Sequence, residues 1–370
     1  MIRFNHYFYR TNVLYSCRKV FLLPYYLLQL RSISLATEEM FKKSYKLSIV
    51  AVLIIVVFVF AVGFMLGANI NNLRPYLVTL LLHNDDWHNE IVEISIPSSY
   101  DGNKQKVMAY HAKGKNRPLI VSLHTWGGDY VEYDPISEYA IKNDYYYIHP
   151  NFRGPNSNEI SCCSDMVIAD IDDAIAHMIQ NGASENAIYI IGLSGGGYTL
   201  FCTYLKSEYN AKHYAAWAAI ADLEQWAQET RIRGLSYYDD IMACTSEGKD
   251  FNSRSPIQWP IPNVIEQKGL LSIYAGIYDG IDGSVPITHS INFYNKIIEA
   301  TVRDTAPNKV SVNEKLKLLE FRQPLGHYGK IDDRAIYLQK ETPSVKLIIF
   351  DGGHEMVLPF AFEDLMRGGK

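Results

Sequence analysis

AIYIIGLSGGGYTLFCTYLK, residues 187–206, is the stretch whose reading decides the fold. Residues 187–194 form a short apolar run of the kind that makes a buried strand, and residues 195–207 follow directly as a helix opening on three glycines. At the junction, Gly192-Leu193-Ser194-Gly195-Gly196 fits G-x-S-x-G. A serine on such a strand-to-helix turn is strained, and neighbouring backbones crowd it, so small residues are needed on both sides. Its hydroxyl then stands above the sheet, beside a helix N-terminus whose N–H groups face a developing oxyanion. A glycine-rich phosphate turn fits less well, because the lysine of a P-loop and the G-x-G-x-x-G spacing are both missing.

Outward from this junction, strand and helix signals alternate from about residue 90, the pattern of an α/β fold with a mostly parallel central sheet flanked by helices. Strand runs are expected at 91–98, 106–114, 118–124, 145–150, 187–194, 215–221, 270–277 and 344–350. Residues 165–180 place Ile168, Ile171, Ile175, Met178 and Ile179 on one helical stripe, with Asp170, Asp172 and Asp173 turned elsewhere. Two stretches break the alternation, 222–267 and 302–343, and are expected as insertions over or beside the sheet of one catalytic domain, 90–370.

A serine nucleophile needs a base, and the base needs an orienting acid. On this kind of sheet the chain order is serine, acid, histidine. His354, in Asp351-Gly352-Gly353-His354, directly follows the last strand and is the expected base. His327 follows no strand, His289 falls in a helix after Val285-Pro286, and His124 ends the third strand as a structural residue. Two carboxylates compete for the acid. Asp279 lies just past the end of a strand, whereas Asp282 stands three residues before Val285-Pro286. Strand-end position favours Asp279, with Asp282 as the alternative. The turn His124-Thr125-Trp126-Gly127-Gly128 resembles the H-G-G turn of esterases, so Thr125 and Trp126, with Gly195, are the expected oxyanion donors.

The chain's 370 residues are 48% hydrophobic and 20% charged, with a net charge of −5, which argues against a nucleic-acid partner. The five cysteines show no metal-ligand spacing, and no metal or organic cofactor is implied. In an exported protein Cys162, Cys163, Cys202 and Cys244 allow one or two disulfides; for Cys202, in an apolar run, a buried thiol is the competing expectation. Residues 47–68 carry no charge, and as a helix they would reach roughly 33 Å, enough to cross a bilayer. Basic residues dominate upstream: Arg3, Arg10, Arg18, Lys19, Arg31, Lys42, Lys43 and Lys46 face only Glu38 and Glu39. The expectation is a cytoplasmic tail 1–46, a transmembrane anchor 47–68 favoured over a cleaved signal, a linker 69–89 and an extracytoplasmic body. Met40 opens a good n-region and is the alternative start.

Taken with Asn151-Phe152-Arg153-Gly154 and Ser255-Pro256-Ile257, these motifs resemble the catalytic domain of the prolyl oligopeptidase family, peptidase family S9, and related α/β-hydrolase esterases. The resemblance covers roughly 90–365 and implies an α/β-hydrolase fold with two-step acyl transfer through Ser194. Family peptidases usually carry a β-propeller ahead of the hydrolase domain, and 69–90 is too short to hold one. The substrates implied are therefore small esters, acylated sugars or short peptides. The competing class is a non-catalytic, membrane-tethered binding module on the same fold.

Overall fold

A computed structural model describes residues 87–368. The tail, the anchor and most of the linker fall outside these residues. Trp87, expected in the linker, packs in the body against Tyr133, Tyr147 and His149.

The elements run β1 (Val92–Pro97), β2 (Lys104–Tyr110), β3 (Arg117–Leu123), α1 (Ile136–Lys142), β4 (Tyr146–Pro150), α2 (Asp165–Gln180) and β5 (Ala183–Leu193). They continue with α3 (Gly195–Lys206), β6 (His213–Trp217), α4 (Leu223–Arg233), α5 (Tyr237–Cys244), α6 (Phe251–Arg254) and β7 (Leu270–Gly276). The last are α7 (Thr288–Thr301), α8 (Val312–Phe321), β8 (Lys330–Ile331), β9 (Arg334–Glu341), β10 (Val345–Phe350) and α9 (Leu358–Arg367).

One sheet joins the ten strands in the order β1-β2-β4-β3-β5-β6-β7-β10-β9-β8. It is mixed, with the expected parallel pairing across its six central strands. From β4 to β10 the neighbours run parallel, while β1, β2, β8 and β9 pair antiparallel at the two flanks. The parallel strands are the most buried, with β4, β6 and β10 covered at every residue, as two-sided helix packing requires.

All eight expected strand runs form strands, with shifted ends. The run 215–221 stops at Trp217, since Ala218 takes a left-handed φ of 46°. Segment 302–343, expected as an insertion, contains α8 and the hairpin β8–β9, and β9 lengthens the sheet beside β10. Its charged ends, Arg334 and Lys340-Glu341, break the apolar pattern; charge is what a strand near a sheet margin carries to stay unpaired with other chains. Segment 222–267 holds α4, α5, α6 and two single 3-10 turns. Helix α4 is bounded by Asp222, whose side chain accepts from Gln225 N, and by Gly234 with φ 67°.

Asp170, off the apolar stripe of α2, is not a surface residue. It is buried, and its carboxylate takes two hydrogen bonds from Arg153, at 2.6 and 2.9 Å. Arg153 also donates to Asp101 at 2.7 Å and to Ser98 at 2.9 Å, so the Asn151–Gly154 turn locks α2 to the β1–β2 connection. The cysteines also resolve. Cys162 bonds to Cys244 on α5, and Cys163 to Cys202 on α3, so Cys202 is not a free thiol.

Four histidines lie inside this core, His124, His149, His213 and His289. His124, His149 and His213 are each at most 2% exposed, and burial lowers all three pKa values, that of His124 to about 4. The unfolded chain binds these protons at about pH 6.5, so between pH 6.5 and 4 it holds more protons than the native state. Stability should therefore fall as the pH drops through that window, by up to about 3 kcal/mol from His124 alone. Urea midpoints measured at pH 7.5 and pH 5 check this: the expected midpoint is lower at pH 5, and equal midpoints would contradict it.

Candidate active site

Ser194 sits between β5 and α3 with φ 57° and ψ −115°. That conformation is costly for a residue with a side chain, and it is held by Ser194 N donating to Trp217 O at 2.8 Å and Tyr198 N donating to Ser194 O at 2.9 Å. The glycines around it are steric necessities. A Cβ on Gly192 would strike the Gly196 backbone, one on Gly196 would strike Leu123 O, and one on Gly195 would strike the backbone nitrogen of Trp126. The turn is thus pressed against the end of β3 and the loop after it.

Asp279 lies in the turn after β7, and His354 in the loop after β10. With Ser194 after β5, all three stand at carboxyl ends of parallel strands in the order β5-β6-β7-β10, where α/β sheets place their sites. His354 Nδ1 donates to Asp279 Oδ2 at 2.7 Å. The other oxygen, Oδ1, accepts from Gly280 N at 2.9 Å and Val285 N at 3.0 Å, so this fully buried carboxylate accepts three hydrogen bonds and both its oxygens are engaged. Asp282 is exposed in the turn, and its backbone N–H donates to Tyr278 O. Of the two candidate acids, Asp279 is the one the fold brings to His354.

Both loops are braced from outside. Tyr278 N donates to Gly352 O at 3.0 Å, and Glu355, next to His354, accepts from Gly353 N at 3.0 Å and pairs with Arg334 on β9. Across the acid turn, Arg233 from α4 donates to the carbonyls of Ile281, Gly283 and Ser284, and Trp226 Nε1 donates to Ser284 O at 2.9 Å. Sequence reasoning missed Arg233, Trp226, Glu355 and Arg334, because each works through a contact far along the chain.

The turn after β3 behaves differently from its sequence expectation at one position. Thr125, expected as an oxyanion donor, has its N–H engaged by Glu132 Oε2 at 2.9 Å, and its hydroxyl donates to Glu132 Oε1 at 2.8 Å. Gly128 leaves the space this carboxylate fills, since a Cβ there would collide with it. Thr125 is therefore a brace. The Trp126 N–H has no acceptor among the described residues, and Gly195 N–H, the first of α3, has none within its helix. The Trp126 backbone nitrogen lies against the Cα of Gly195, the residue that follows Ser194.

The Trp126 indole is buried, with Trp226 edge-on at 4.7 Å and Tyr198 at 5.7 Å, so it is a packed aromatic rather than an open pocket wall. His124 supports the turn from below. Its ring stacks on Phe152 at 3.7 Å, with nitrogens 2.8 Å from Thr125 O and 3.0 Å from Asn151 O. His289 is likewise structural, accepting from the backbone of Ala221 and Asp222 and donating to Glu229. His327 is exposed in the loop before β8.

No protein-family model matches the sequence, and no curated protein matches it. Among solved structures, the orthorhombic crystal form of Pyrococcus horikoshii acylaminoacyl peptidase superposes with a TM-score of 0.50 at 15% identity, over 75% of this chain and 40% of that one. A puromycin-hydrolyzing peptidase of Mycobacterium tuberculosis gives a TM-score of 0.46 at 13% identity, over 75% and 37%. Apo prolyl oligopeptidase B of Galerina marginata gives 0.45 at 17% identity, over 62% and 35%. The chain thus matches about two fifths of the length of the archaeal peptidase. The fold is that of an α/β hydrolase. Within that class it resembles the S9 peptidases.

Gly283 gives a direct check on this geometry. Its Cα faces both partners of the acid–histidine pair, and a Cβ there would collide with Asp279 Oδ1 and His354 Cβ. Gly283→Ala should separate the pair and reduce any activity of the protein by about 10²-fold, the scale on which small misplacements of catalytic groups act. Circular dichroism should remain native. An alanine variant with unchanged turnover would contradict the packing described.

Proposed function

We propose that this protein is a serine hydrolase. Ser194 attacks a carbonyl, His354 Nε2 takes the hydroxyl proton and passes it to the leaving group, and Asp279 stabilises the imidazolium through Nδ1. The amides of Trp126 and Gly195 receive the oxyanion, and water then releases the acyl group through the same histidine. The observation that carries this reading is the 2.7 Å bond from His354 to a buried Asp279 with both oxygens hydrogen-bonded, together with a serine held in an elbow turn after a parallel strand of the same sheet.

The substrate class is an ester or amide of modest size. The S9-like fold, shared with an acylaminoacyl peptidase, favours a short peptide. The esterase-like turn at His124–Gly128 favours small esters and acylated sugars. The catalytic body works outside the cytoplasm, tethered through the uncharged run 47–68. The two disulfides support that location, because cytosolic thiols are kept reduced.

A fluorophosphonate probe tests the proposal. The expected result is one adduct on native protein, mapped to Ser194 and absent from Ser194→Ala. A protein that stays unlabelled would instead favour the non-catalytic binding module. A panel of p-nitrophenyl esters and peptide amides then assigns the branch, with amide turnover alone marking a peptidase and ester turnover alone an esterase.

A further inference from the structure

Ser284 stands one residue before Val285, in the acid turn, and has no place in the three-residue scheme above. Its Oγ lies 3.4 Å from His354 Nε2, on the side of the ring opposite the Asp279 bond. A carboxylate only accepts, so the hydrogen between His354 and Asp279 belongs to Nδ1. The neutral imidazole then presents a lone pair at Nε2, and the Ser284 hydroxyl donates to it. This is the nitrogen that must receive the nucleophile's proton.

The hydroxyl is not there through a loose loop. Ser284 O accepts from Trp226 Nε1 at 2.9 Å and from Arg233 Nη1 at 3.4 Å. On one side Gly283 O accepts from Arg233 Nη2 at 2.5 Å, and on the other Val285 N donates to Asp279 Oδ1 at 3.0 Å. The backbone of Ser284 is thus tied both to α4 of the inserted segment and to the acid itself.

We infer that Ser284 is a positioning residue for His354, holding the imidazole at Nε2 while Asp279 holds it at Nδ1. The inference rests on the triad reading proposed above. With Asp279 alone, the ring pivots about a single hydrogen bond; a second contact at the far nitrogen fixes its plane. A hydroxyl suits both stages of the reaction. It donates to neutral Nε2 and accepts from Nε2–H once the proton has moved. At 3.4 Å the contact is longer than the usual range of about 2.7–3.2 Å and therefore weak, so it steadies the ring while yielding Nε2 to a closer hydroxyl from Ser194 or water. The insertion therefore reaches the catalytic base through one side chain, by way of Trp226 and Arg233.

Rates of phosphonylation by a fluorophosphonate test this in the full-length protein, comparing wild type, His354→Ala, Ser284→Ala and Ser284→Thr. Loss of one neutral hydrogen bond should slow Ser284→Ala about three- to ten-fold, with an unchanged melting temperature. Ser284→Thr keeps a hydroxyl and should recover most of the rate, a rescue that a purely structural role would not produce. Ser284→Ala at the wild-type rate, or Ser284→Thr as slow as Ser284→Ala, would overturn the inference while leaving the triad standing. His354→Ala at the wild-type rate would remove the triad reading and the inference together.

Discussion

At Ser194 the chain passes from strand to helix through a left-handed backbone, and most of the site is arranged around that one constraint. The turn survives only because Gly192, Gly195 and Gly196 let it press against itself and against the end of β3. That pressure brings the Trp126 backbone beside Gly195. The turn after β3 must hold its own shape, and Glu132, His124 and Phe152 supply the struts. Strain at the serine is thus met by a rigid surround on its β3 side.

The other half of the site is built from turns beyond β7 and β10. Parallel strands deliver both loops to the same edge of the sheet, and register alone brings Asp279 near His354. Fine placement comes from side chains that cross between elements: Arg233 and Trp226 from α4, and the Arg334–Glu355 pair. The inserted segment is itself anchored. Cys162–Cys244 ties α5 to the loop before α2, Arg254 donates to carbonyls at 159 and 161, and Tyr198 of α3 donates to Arg254 O at 2.6 Å. The nucleophile helix, the insertion and the acid turn therefore form one connected support.

Much of this was legible in the sequence where a local pattern carries the information. The apolar runs before Ser194, Asp279 and His354 marked buried strands, and the glycines marked the turns that follow them. Strand-end position favoured Asp279 over Asp282, and it is Asp279 that reaches His354 in the neighbouring strand's loop while Asp282 is exposed. What could not be read depends on partners distant in the chain. Thr125 looked like a donor because nothing local reveals that Glu132 folds back onto its amide. Strand β9 looked like a charged insertion because its role is to extend the sheet beside β10. The burial of Asp170, off the apolar stripe of its helix, was not legible because its partner, Arg153, sits on a separate turn.

The central claim is that Asp279, and not its neighbour Asp282, works through His354 on Ser194. Initial rates of fluorophosphonate labelling for Asp279→Asn and Asp282→Asn, each against wild type, test it most directly. The account predicts a loss of up to about 10⁴-fold for Asp279→Asn, which leaves the histidine in the wrong tautomer, and a rate near wild type for Asp282→Asn. Comparable losses in both variants, or a larger loss in Asp282→Asn, would contradict it.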